Sequence, residues 1–328
     1  MSELLFSIAI PTYNRADYLD RCLGSVCSQI NEDNRSLIEV IVSDNASTDN
    51  TKEIVDKYLR EGCTITYLRN SENKGADFNV AQCYQKANGK YILVLGDDDV
   101  LVKGALNTVL DVIKNRDLGV VYLNHFSILD TYEEKPVMAD KAVVIYYEQK
   151  KDFIKKVNYY TTFISGNIIN RKAFTGIDLA KGIGTSLPQV PLILNAIKLF
   201  DTNAVVETNL LGMQTGNTGG YSLFKTFGVN YMSMLNESFN QPSQKQYTGI
   251  IANKMLLTFF PFWIYRFKNQ HAFHDEESIN SLMTPLFKKY FRYWVFNYPL
   301  INSNFFFARL YYKLIKGYLL VRRLVGIK

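Results

Sequence analysis

Two kinds of hydrophobic pattern alternate along the first hundred residues. Short continuous apolar runs predict buried parallel strands, and stretches in which apolar residues recur every three or four positions predict amphipathic helices. Strands that alternate with helices through short links predict a doubly wound, mostly parallel α/β sheet. The predicted strands span 5–10, 38–42, 65–68 and 91–95, and the predicted helices span 16–30, 51–58 and 77–87.

Beyond residue 101 the pattern is less regular, and past residue 221 the apolar spacing is helical throughout. A Gly-, Asn- and Thr-rich loop at 212–222 has the flexibility of an active-site lid, with a plain surface loop as the alternative. We therefore predict an α/β domain over 1–220 and a helical, basic, aromatic-rich region over 221–328. The predicted elements between them are helices at 101–114, 151–157 and 187–199, strands at 120–124, 163–170 and 204–207, and a polar, then β-rich stretch at 130–148.

The composition is that of an ordinary globular protein, with 47% hydrophobic and 21% charged residues in 328. No signal peptide is expected at the N-terminus, and no apolar run is long enough for a membrane span. The cysteines form no CxxC pair and no histidine cluster accompanies them, so we expect reduced thiols in a cytosolic protein, without a zinc site or a disulfide framework. These cysteines are Cys22, Cys27, Cys63 and Cys83.

The net charge of the whole chain is +6, and the excess of positive charge is concentrated at its C-terminal end. No acidic residue follows Glu277, and a helix predicted from Asn304 onward has one apolar and one basic face. Such a helix can lie on an anionic bilayer, and a core-facing helix with a solvated basic side is the alternative. Nucleic acid is not expected as a partner, because no binding module is present and the basic residues interleave with aliphatic ones.

Polar loops follow the predicted strands at the edge where doubly wound sheets bind ligands. The strand at 91–95 leads through Gly96 into Asp97, Asp98 and Asp99. Three adjacent carboxylates repel one another, and a divalent cation such as Mg²⁺ or Mn²⁺ offsets that repulsion and bridges to phosphates. A solvated acidic turn that caps the next helix is the alternative reading.

The other loops are individually weaker signals. Tyr13 can stack on a base, Asp44 can accept a hydrogen bond from a pyrimidine, and Lys74 with Gly75 precedes a helix N-terminus that suits a phosphate. Each also fits an ordinary strand-to-helix turn. No GxGxxG follows the first strand, which disfavours a dehydrogenase, and the loop at 11–15 lacks the glycines that a nucleotidyltransferase would need.

As a set, these loops resemble the donor half of a family 2 glycosyltransferase with the GT-A fold. The resemblance covers about residues 4–110 through SIAIPTYNR, VIVSDNASTDNT and NKGADFNVAQCYQKANGKYILVLGDDD, and continues more weakly in ISGNIINRKAF. It implies a Rossmann-like, mostly parallel nucleotide-diphosphosugar transferase sheet followed by an α-helical C-terminal region. It also implies a metal-dependent enzyme that uses a nucleotide-sugar.

The resemblance also implies roles for matched positions. Asp99 would ligate Mn²⁺ or Mg²⁺ with the diphosphate, and Asp97 or Asp98 would touch the ribose or the sugar. Residues assigned to catalysis are Asp98, Asp99 and Gln189. Residues assigned to donor binding are Pro11, Thr12, Tyr13, Asn14, Arg15, Asp44, Asn45, Lys74, Gly75, Asp97, Asp98, Gly166 and Asn167.

One departure from the family pattern concerns the general base. Family members that invert the sugar carry an acidic pair well after the metal motif, whereas the comparable stretch here has Gln189. Glutamine does not accept a proton usefully, so the base comes from elsewhere, with Asp178, Asp201 and Glu207 as candidates, or the reaction retains configuration and needs no strong base there. The stereochemistry therefore stays open.

The GDDDVL and SGNIINR segments and the absent acidic pair resemble bacterial O-antigen transferases of the abequosyltransferase type. That resemblance implies a CDP-linked 3,6-dideoxyhexose as donor and a polyprenyl-diphosphate-linked oligosaccharide as acceptor. It places the enzyme peripherally on the inner face of the bacterial plasma membrane. Another nucleotide-sugar transferase of capsule or lipopolysaccharide synthesis and a catalytically silent GT-A assembly subunit are the alternatives.

Overall fold

The structure is a computed structural model that describes residues 4–128, 142–215, 222–270 and 277–326. Most of the predicted lid, at 216–221, and the first part of the predicted β-rich stretch, at 130–141, lie outside those ranges. The described residues fall into two compact units, Met1–Asn217 and Thr218–Lys328. The assignment of distinct roles to 1–220 and 221–328 stays a prediction.

The first four strands are β1 (Phe6–Thr12), β2 (Ile38–Asp44), β3 (Ile65–Arg69) and β4 (Tyr91–Val94). They form a parallel sheet in the order β3-β2-β1-β4, which confirms the doubly wound pattern expected for this part of the chain. β1 and β2 each run two residues further than predicted, because Thr12 pairs with Asp44 and carries the ladder to the edge of the sheet. The helices in this part are α1 (Ala16–Cys27), α2 (Thr51–Arg60) and α3 (Ala76–Lys86).

The remaining strands are β5 (Val100–Leu101), β6 (Val120–Ile128), β7 (Val144–Tyr147), β8 (Asn167–Asn170) and β9 (Asn203–Gln214). Beyond β4 the sheet becomes mixed and continues in the order β4-β8-β6-β9-β5, with β7 paired to β9. β8 is antiparallel to both β4 and β6, and β6 is parallel to β9. The N-terminal end of β8 and the C-terminal ends of β6 and β9 therefore reach the same edge as the C-terminal end of β4. The helices in this part are α4 (Ala105–Lys114), α5 (Lys150–Val157) and α6 (Val190–Leu199).

Three predicted bounds in this part differ from the structure for identifiable reasons. The helix predicted from 101 begins at Ala105, because Val100–Leu101 pairs with β9 and Gly104, with φ +85°, separates strand from helix. The strand predicted from 163 begins at Asn167, because 3₁₀ turns occupy the residues before it. The strand predicted at 204–207 runs to Gln214, so the predicted lid at 212–222 starts as strand.

The core of the first unit lies on both faces of the central strands. Ile8 and Ile10 of β1 are fully buried on one face, and Ile92 and Val94 of β4 are fully buried on the other. Each such side chain contributes about 1.5–3 kcal/mol relative to an exposed one, which holds the strand ends that carry the polar loops in a rigid frame. Continuous apolar runs, rather than alternation, are the pattern expected when helices cover both faces of a sheet.

The expectation of four reduced cysteines is wrong for one pair. Cys27 and Cys63 form a disulfide with their Cα atoms 5.7 Å apart, and Cys22 and Cys83 are free, buried thiols. Cys27 ends α1 and Cys63 follows α2, and because these helices pack side by side their C-terminal ends meet. A separation of 36 residues gave no sign of this contact in the sequence.

The second unit consists of helices over its described residues, as predicted. Aromatic side chains fill its interior. The ring of Phe260, for example, packs against the rings of both Phe224 and Phe287. Within the described ranges, no helix is both long enough and apolar enough to cross a membrane. The helices are α7 (Tyr231–Ser238), α8 (Lys245–Lys254), α9 (Phe260–Gln270), α10 (Ile279–Phe287), α11 (Tyr298–Asn302) and α12 (Phe305–Leu324).

Candidate active site

The three predicted carboxylates follow β4 at the edge where the other polar loops meet. Gly96 precedes them, and its amide donates a hydrogen bond to the hydroxyl of Ser165, 2.9 Å away. A Cβ atom at this glycine would lie 3.0 Å from the carboxylate of Asp98 and 3.3 Å from the Ser165 hydroxyl. Glycine is therefore the residue that lets the acidic turn and the segment before β8 approach closely.

Arg15 binds the first two carboxylates of this turn. Its guanidinium lies 3.0 Å from Asp97 Oδ1 and 2.9 Å from Asp98 Oδ2, while the Thr12 hydroxyl donates to Asp97 Oδ2 at 2.8 Å. Burial is the largest influence on Asp97 and exceeds the effect of Arg15, so the pKa of Asp97 is raised to about 7. Four residues assigned from sequence to the donor site are thus in direct contact.

Asp99 is buried and differs from its neighbours in its partners. Its Oδ1 accepts a hydrogen bond from the backbone amide of Gln214 at 2.9 Å, and its carboxylate is hydrogen-bonded to Ser165. Within the described ranges it takes part in no salt bridge. Burial, and then repulsion from Asp98, raises the pKa of Asp99 to about 7. A buried carboxylate that has no positively charged partner is stabilised by binding a cation.

This donor set fits a divalent cation that arrives with phosphate oxygens. Across the residues that the structure describes, no group of three or more His, Cys, Asp and Glu side chains is arranged to hold a metal alone. Mg²⁺ does not need such a group, because it is usually bound by one or two carboxylates together with substrate phosphates and water. Asp99 supplies a carboxylate that forms no salt bridge with another described residue, and Asp98 lies beside it.

Asp44 ends β2 as a fully buried carboxylate with protein partners of its own. Its Oδ1 accepts from the amide of Ser47 at 2.8 Å, and its Oδ2 accepts from the Tyr67 hydroxyl at 2.5 Å and lies 3.5 Å from Arg69 Nε. Tyr67 and Arg69, on β3, were not singled out from the sequence. They orient Asp44, and the predicted contact between Asp44 and a base stays a prediction.

Asn45 holds the loop that contains Lys74 and Gly75. Its side-chain oxygen accepts from the Lys74 amide at 3.0 Å, and its amide nitrogen donates to Asn73 and to the Gly75 carbonyl. Gly75 has φ +88°, a conformation that favours glycine, and it precedes α3. The Lys74 ammonium lies 5.0 Å from the ring of Phe78. The loop after β2 and the loop before α3, which are distant in sequence, are therefore held together by hydrogen bonds.

The loop after β1 is fixed to the loop after β2. The amide of Asn14 donates to the Ser47 hydroxyl at 2.9 Å, and its side-chain oxygen accepts from the Thr48 amide at 2.7 Å. Tyr13, by contrast, is 40% exposed, and Pro11 is half-buried. Asn14 thus ties the two loops together, and a contact between the Tyr13 ring and the donor stays a prediction.

Asn79, on α3, supports the strand ends that carry the polar loops, and the sequence did not reveal this role. Its buried amide donates to the carbonyls of Ser43 at 2.8 Å and Thr12 at 3.3 Å, and it accepts from the Ser43 hydroxyl. It therefore satisfies backbone groups at the ends of β1 and β2. A polar residue on the apolar side of an amphipathic helix was the available signal.

Gly166 and Asn167 lie directly behind the acidic turn, next to Ser165. A Cβ atom at Gly166 would come within 2.7 Å of the Phe163 ring, so this position has no room for a side chain. Asn167 is buried and its amide donates to the carbonyls of Tyr160 and Phe163, which shapes the turns before β8. Both residues support the site, and a contact with the donor stays a prediction.

Gln189 contacts the segment that precedes Ser165 rather than one of the three carboxylates. Its side chain is buried and donates to the Thr162 carbonyl at 2.7 Å, immediately before α6. A catalytic role for Gln189 stays a prediction. Of the alternative bases, Glu207 is paired with Lys156 at 2.5 Å and Asp178 caps a 3₁₀ turn through the Ala180 amide.

Arg21 and Gln214 are further site residues that sequence reasoning missed. The Arg21 guanidinium donates to the carbonyl of Asp98 at 2.8 Å and to the side chain of Gln214 at 2.9 Å. Gln214 joins this arginine to Asp99 through its own amide. The arginine therefore connects the acidic turn with the end of β9, where the predicted lid begins.

Comparison with known proteins gives a consistent result. A model of the family described as "Glycosyl transferase family 2" matches residues 7–177. The abequosyltransferase RfbV of Salmonella typhimurium is 31% identical over 207 residues, which are 58% of this chain and 61% of that protein. A GalNAc(5)-diNAcBac-PP-undecaprenol beta-1,3-glucosyltransferase of Campylobacter jejuni is 34% identical over 32% of this chain and 33% of its own. The chain thus matches less than two thirds of either relative.

Similarity in structure extends along the whole chain. The crystal structure of S. aureus TarS residues 1–349 in complex with UDP-GlcNAc has a TM-score of 0.59 at 18% identity and covers 96% of this chain and 91% of that one. At this identity the likeness concerns the fold, and it confirms the expected GT-A architecture with a helical C-terminal region.

Proposed function

Since the chain belongs to glycosyl transferase family 2, we propose that this glycosyltransferase moves one sugar from a nucleoside diphosphate to a hydroxyl of a glycan. One observation carries the proposal. Asp97, Asp98 and Asp99 lie together at the carboxyl end of β4, with two of them buried at a raised pKa. Such a turn is costly for the protein alone and is favourable once a cation and a diphosphate bind.

Asp99, helped by Asp98, would hold Mn²⁺ or Mg²⁺ in this site. Such a cation, when bound, offsets the negative charge that develops on the departing nucleoside diphosphate. Arg15 holds Asp97 and Asp98 in place through its two ion pairs. The exposed ring of Tyr13 offers a face for the base. The remaining loop contacts, through Asn14 and Asn45, keep the site preorganised before the donor arrives.

The donor and the acceptor are the finer part of the proposal. We favour a CDP-linked 3,6-dideoxyhexose and a polyprenyl-diphosphate-linked oligosaccharide of the O-antigen type. The 31% identity to an abequosyltransferase supports the sugar, and a second relative whose name includes a PP-undecaprenol glycan supports the acceptor. A different nucleotide-sugar of capsule or lipopolysaccharide synthesis is the alternative, and the experiment below separates them.

We predict that one nucleoside diphosphate raises the melting temperature by about 3–8 °C when Mn²⁺ or Mg²⁺ is present, and much less in EDTA. Thermal unfolding with CDP, UDP, GDP and dTDP measures this. Asp99→Ala should lose the metal-dependent part, and Asp111→Asn, an exposed carboxylate on α4, should keep it. A shift with CDP supports the dideoxyhexose donor. No shift with any nucleotide would instead favour a catalytically silent assembly subunit.

The second unit, over 221–328, is proposed to attach the enzyme to the inner face of the bacterial plasma membrane. Along α12 only Ala308 and Ile315 are buried, whereas Phe306 is 80% and Leu314 63% exposed. Apolar side chains and basic ones thus share the free surface of a helix without a single acidic residue, which favours an anionic lipid surface. The exposed basic residues are Arg309, Lys313, Lys316 and Arg323.

Binding to vesicles that contain about one third phosphatidylglycerol should therefore exceed binding to neutral vesicles by about tenfold, and should weaken at high salt. The double change Leu310→Ser and Leu314→Ser should lower binding by at least about tenfold, because each leucine contributes about 1.5–3 kcal/mol when buried in lipid. Leu199→Ser, at a leucine 57% exposed at the end of α6, is the matched control in a flotation assay. Equal vesicle binding by wild type, the double variant and Leu199→Ser would contradict the proposal.

A further inference from the structure

His125 lies at the edge of the sheet that carries the acidic turn, and the proposed function gives it no role. It belongs to the C-terminal part of β6. β6 is antiparallel to β8, which is antiparallel to β4, so the C-terminal ends of β4 and β6 point the same way. Further along this strand, Ile128 pairs with Gln214, whose amide binds Asp99.

The ladder between β6 and β9 is irregular beside this side chain. The pairing of β6 with β9 shifts register between Leu123 and His125. In a regular strand, residues three apart point to opposite faces, yet the Tyr122 hydroxyl lies 3.2 Å from Nδ1 of His125. Leu123 pairs with Val206 and His125 with Leu211, so the extra residues of this irregularity lie on β9 and the regular ladder is interrupted beside His125.

The surroundings of His125 connect it to the carboxylates. Its ring lies 4.9 Å from the ring of Phe163, and two residues further Ser165 is hydrogen-bonded to Asp99. The centroid of its ring also lies 5.4 Å from that of Tyr160, and this tyrosine is 38% exposed. Aromatic rings beside an open edge offer a surface for the apolar face of a sugar ring.

The chemistry of this histidine suits the abstraction of a proton. Burial lowers the pKa of His125 below its ordinary value, so the imidazole is neutral at pH 7. The groups that face it are the Tyr122 and Tyr160 side chains, Phe163, and Leu211 in register on β9. Among the described residues no hydrogen bond occupies Nε2. If Nδ1–H donates to the Tyr122 oxygen, the lone pair of Nε2 is available to a substrate.

We propose that His125 is the general base of the transfer reaction and takes the place of the acid missing at Gln189; the inference rests on the proposed function. The oxygen of the acceptor hydroxyl forms a bond to the anomeric carbon of the donor. The bond from that carbon to the diphosphate oxygen breaks, and its electron pair leaves with the nucleoside diphosphate. The hydroxyl proton passes to Nε2 of His125. A single displacement of this kind inverts the anomeric carbon.

The kinetic test compares wild type, His125→Gln and Lys114→Gln, an exposed control on α4. CDP- and UDP-linked sugars serve as donors and a detergent-solubilised undecaprenyl-diphosphate oligosaccharide as acceptor. His125→Gln should lower kcat by about 10²–10⁴-fold, with the nucleotide-induced thermal shift unchanged. The acidic limb of the wild-type pH–rate profile should be lost in His125→Gln, and Lys114→Gln should behave as wild type.

Two further measurements do not depend on the size of the kinetic effect. A two-bond ¹H–¹⁵N correlation spectrum should show the Nδ1–H tautomer, with the His125 signal assigned by its absence in His125→Gln. NMR of the product should show an inverted anomeric centre. The Nε2–H tautomer, retention of configuration, or a kcat within about threefold of wild type in His125→Gln would each overturn the inference while leaving the proposed function standing. A wild-type protein without any transfer would remove both.

Discussion

Asp99→Asn is expected to lower kcat by about 10³-fold or more while the protein stays folded. The carboxylate of Asp99 is the one in the acidic turn that Arg15 does not bind, so it is the group available to a cation. Asparagine keeps the shape of the side chain and can still accept from the Gln214 amide, but it removes the negative charge. Asp99→Ala should abolish turnover as well. Release of nucleoside diphosphate in the transfer assay measures both.

The controls separate loss of chemistry from loss of structure. Asp111→Asn removes an exposed carboxylate from α4 and should keep the wild-type rate. Circular dichroism should show an unchanged fold in the Asp99 variants, since the strands around the turn are held by their own buried side chains. Full activity of Asp99→Ala in the presence of EDTA would contradict the proposed role of the acidic turn.

Local pattern was sufficient for the first four strands, because each ends in a polar loop within a few residues of its apolar run. The acidic turn, the loop at 11–15 and the loop at 43–49 could therefore be placed at one edge from the sequence. What could not be predicted is how these groups are held. Ser165 and Gln214 reach Asp99 across 66 and 115 residues of chain, through the register of β8 and β9, which no local pattern encodes.

The contacts of single side chains were harder to predict than the positions of the loops that carry them. Asn14, Asn45 and Asp44 were assigned to the donor, and each is engaged by protein groups. Polar residues in a loop can bind a ligand or another loop, and only tertiary distances distinguish the two. His125 was missed for a related reason: it directly follows the strand predicted at 120–124, and its contacts with Tyr122 and Phe163 depend on tertiary distances.

The free energy of unfolding should fall as pH rises from about 4 to about 7 in the absence of metal, and the cause is the same buried turn. Folding raises the pKa of Asp97 and of Asp99 from 3.8 to about 7. Between these values the folded protein binds more protons than the unfolded chain, so raising the pH favours unfolding. Below pH 4 both states are protonated and the cost is absent, and above pH 7 it is complete.

Asp99→Asn should therefore become more stable relative to wild type as the pH rises, by about 2–4 kcal/mol at pH 7.5 and by little at pH 4. Urea unfolding at several pH values in EDTA measures the difference, and taking it against wild type cancels the groups common to both proteins. Asp111→Asn should show no such trend. If the difference in free energy of unfolding between Asp99→Asn and wild type stayed constant over this pH range, the ionised form of Asp99 would not be destabilised by burial. A gain in stability at neutral pH together with a loss of turnover would show that the acidic turn is maintained for its ligand, against the stability of the free protein.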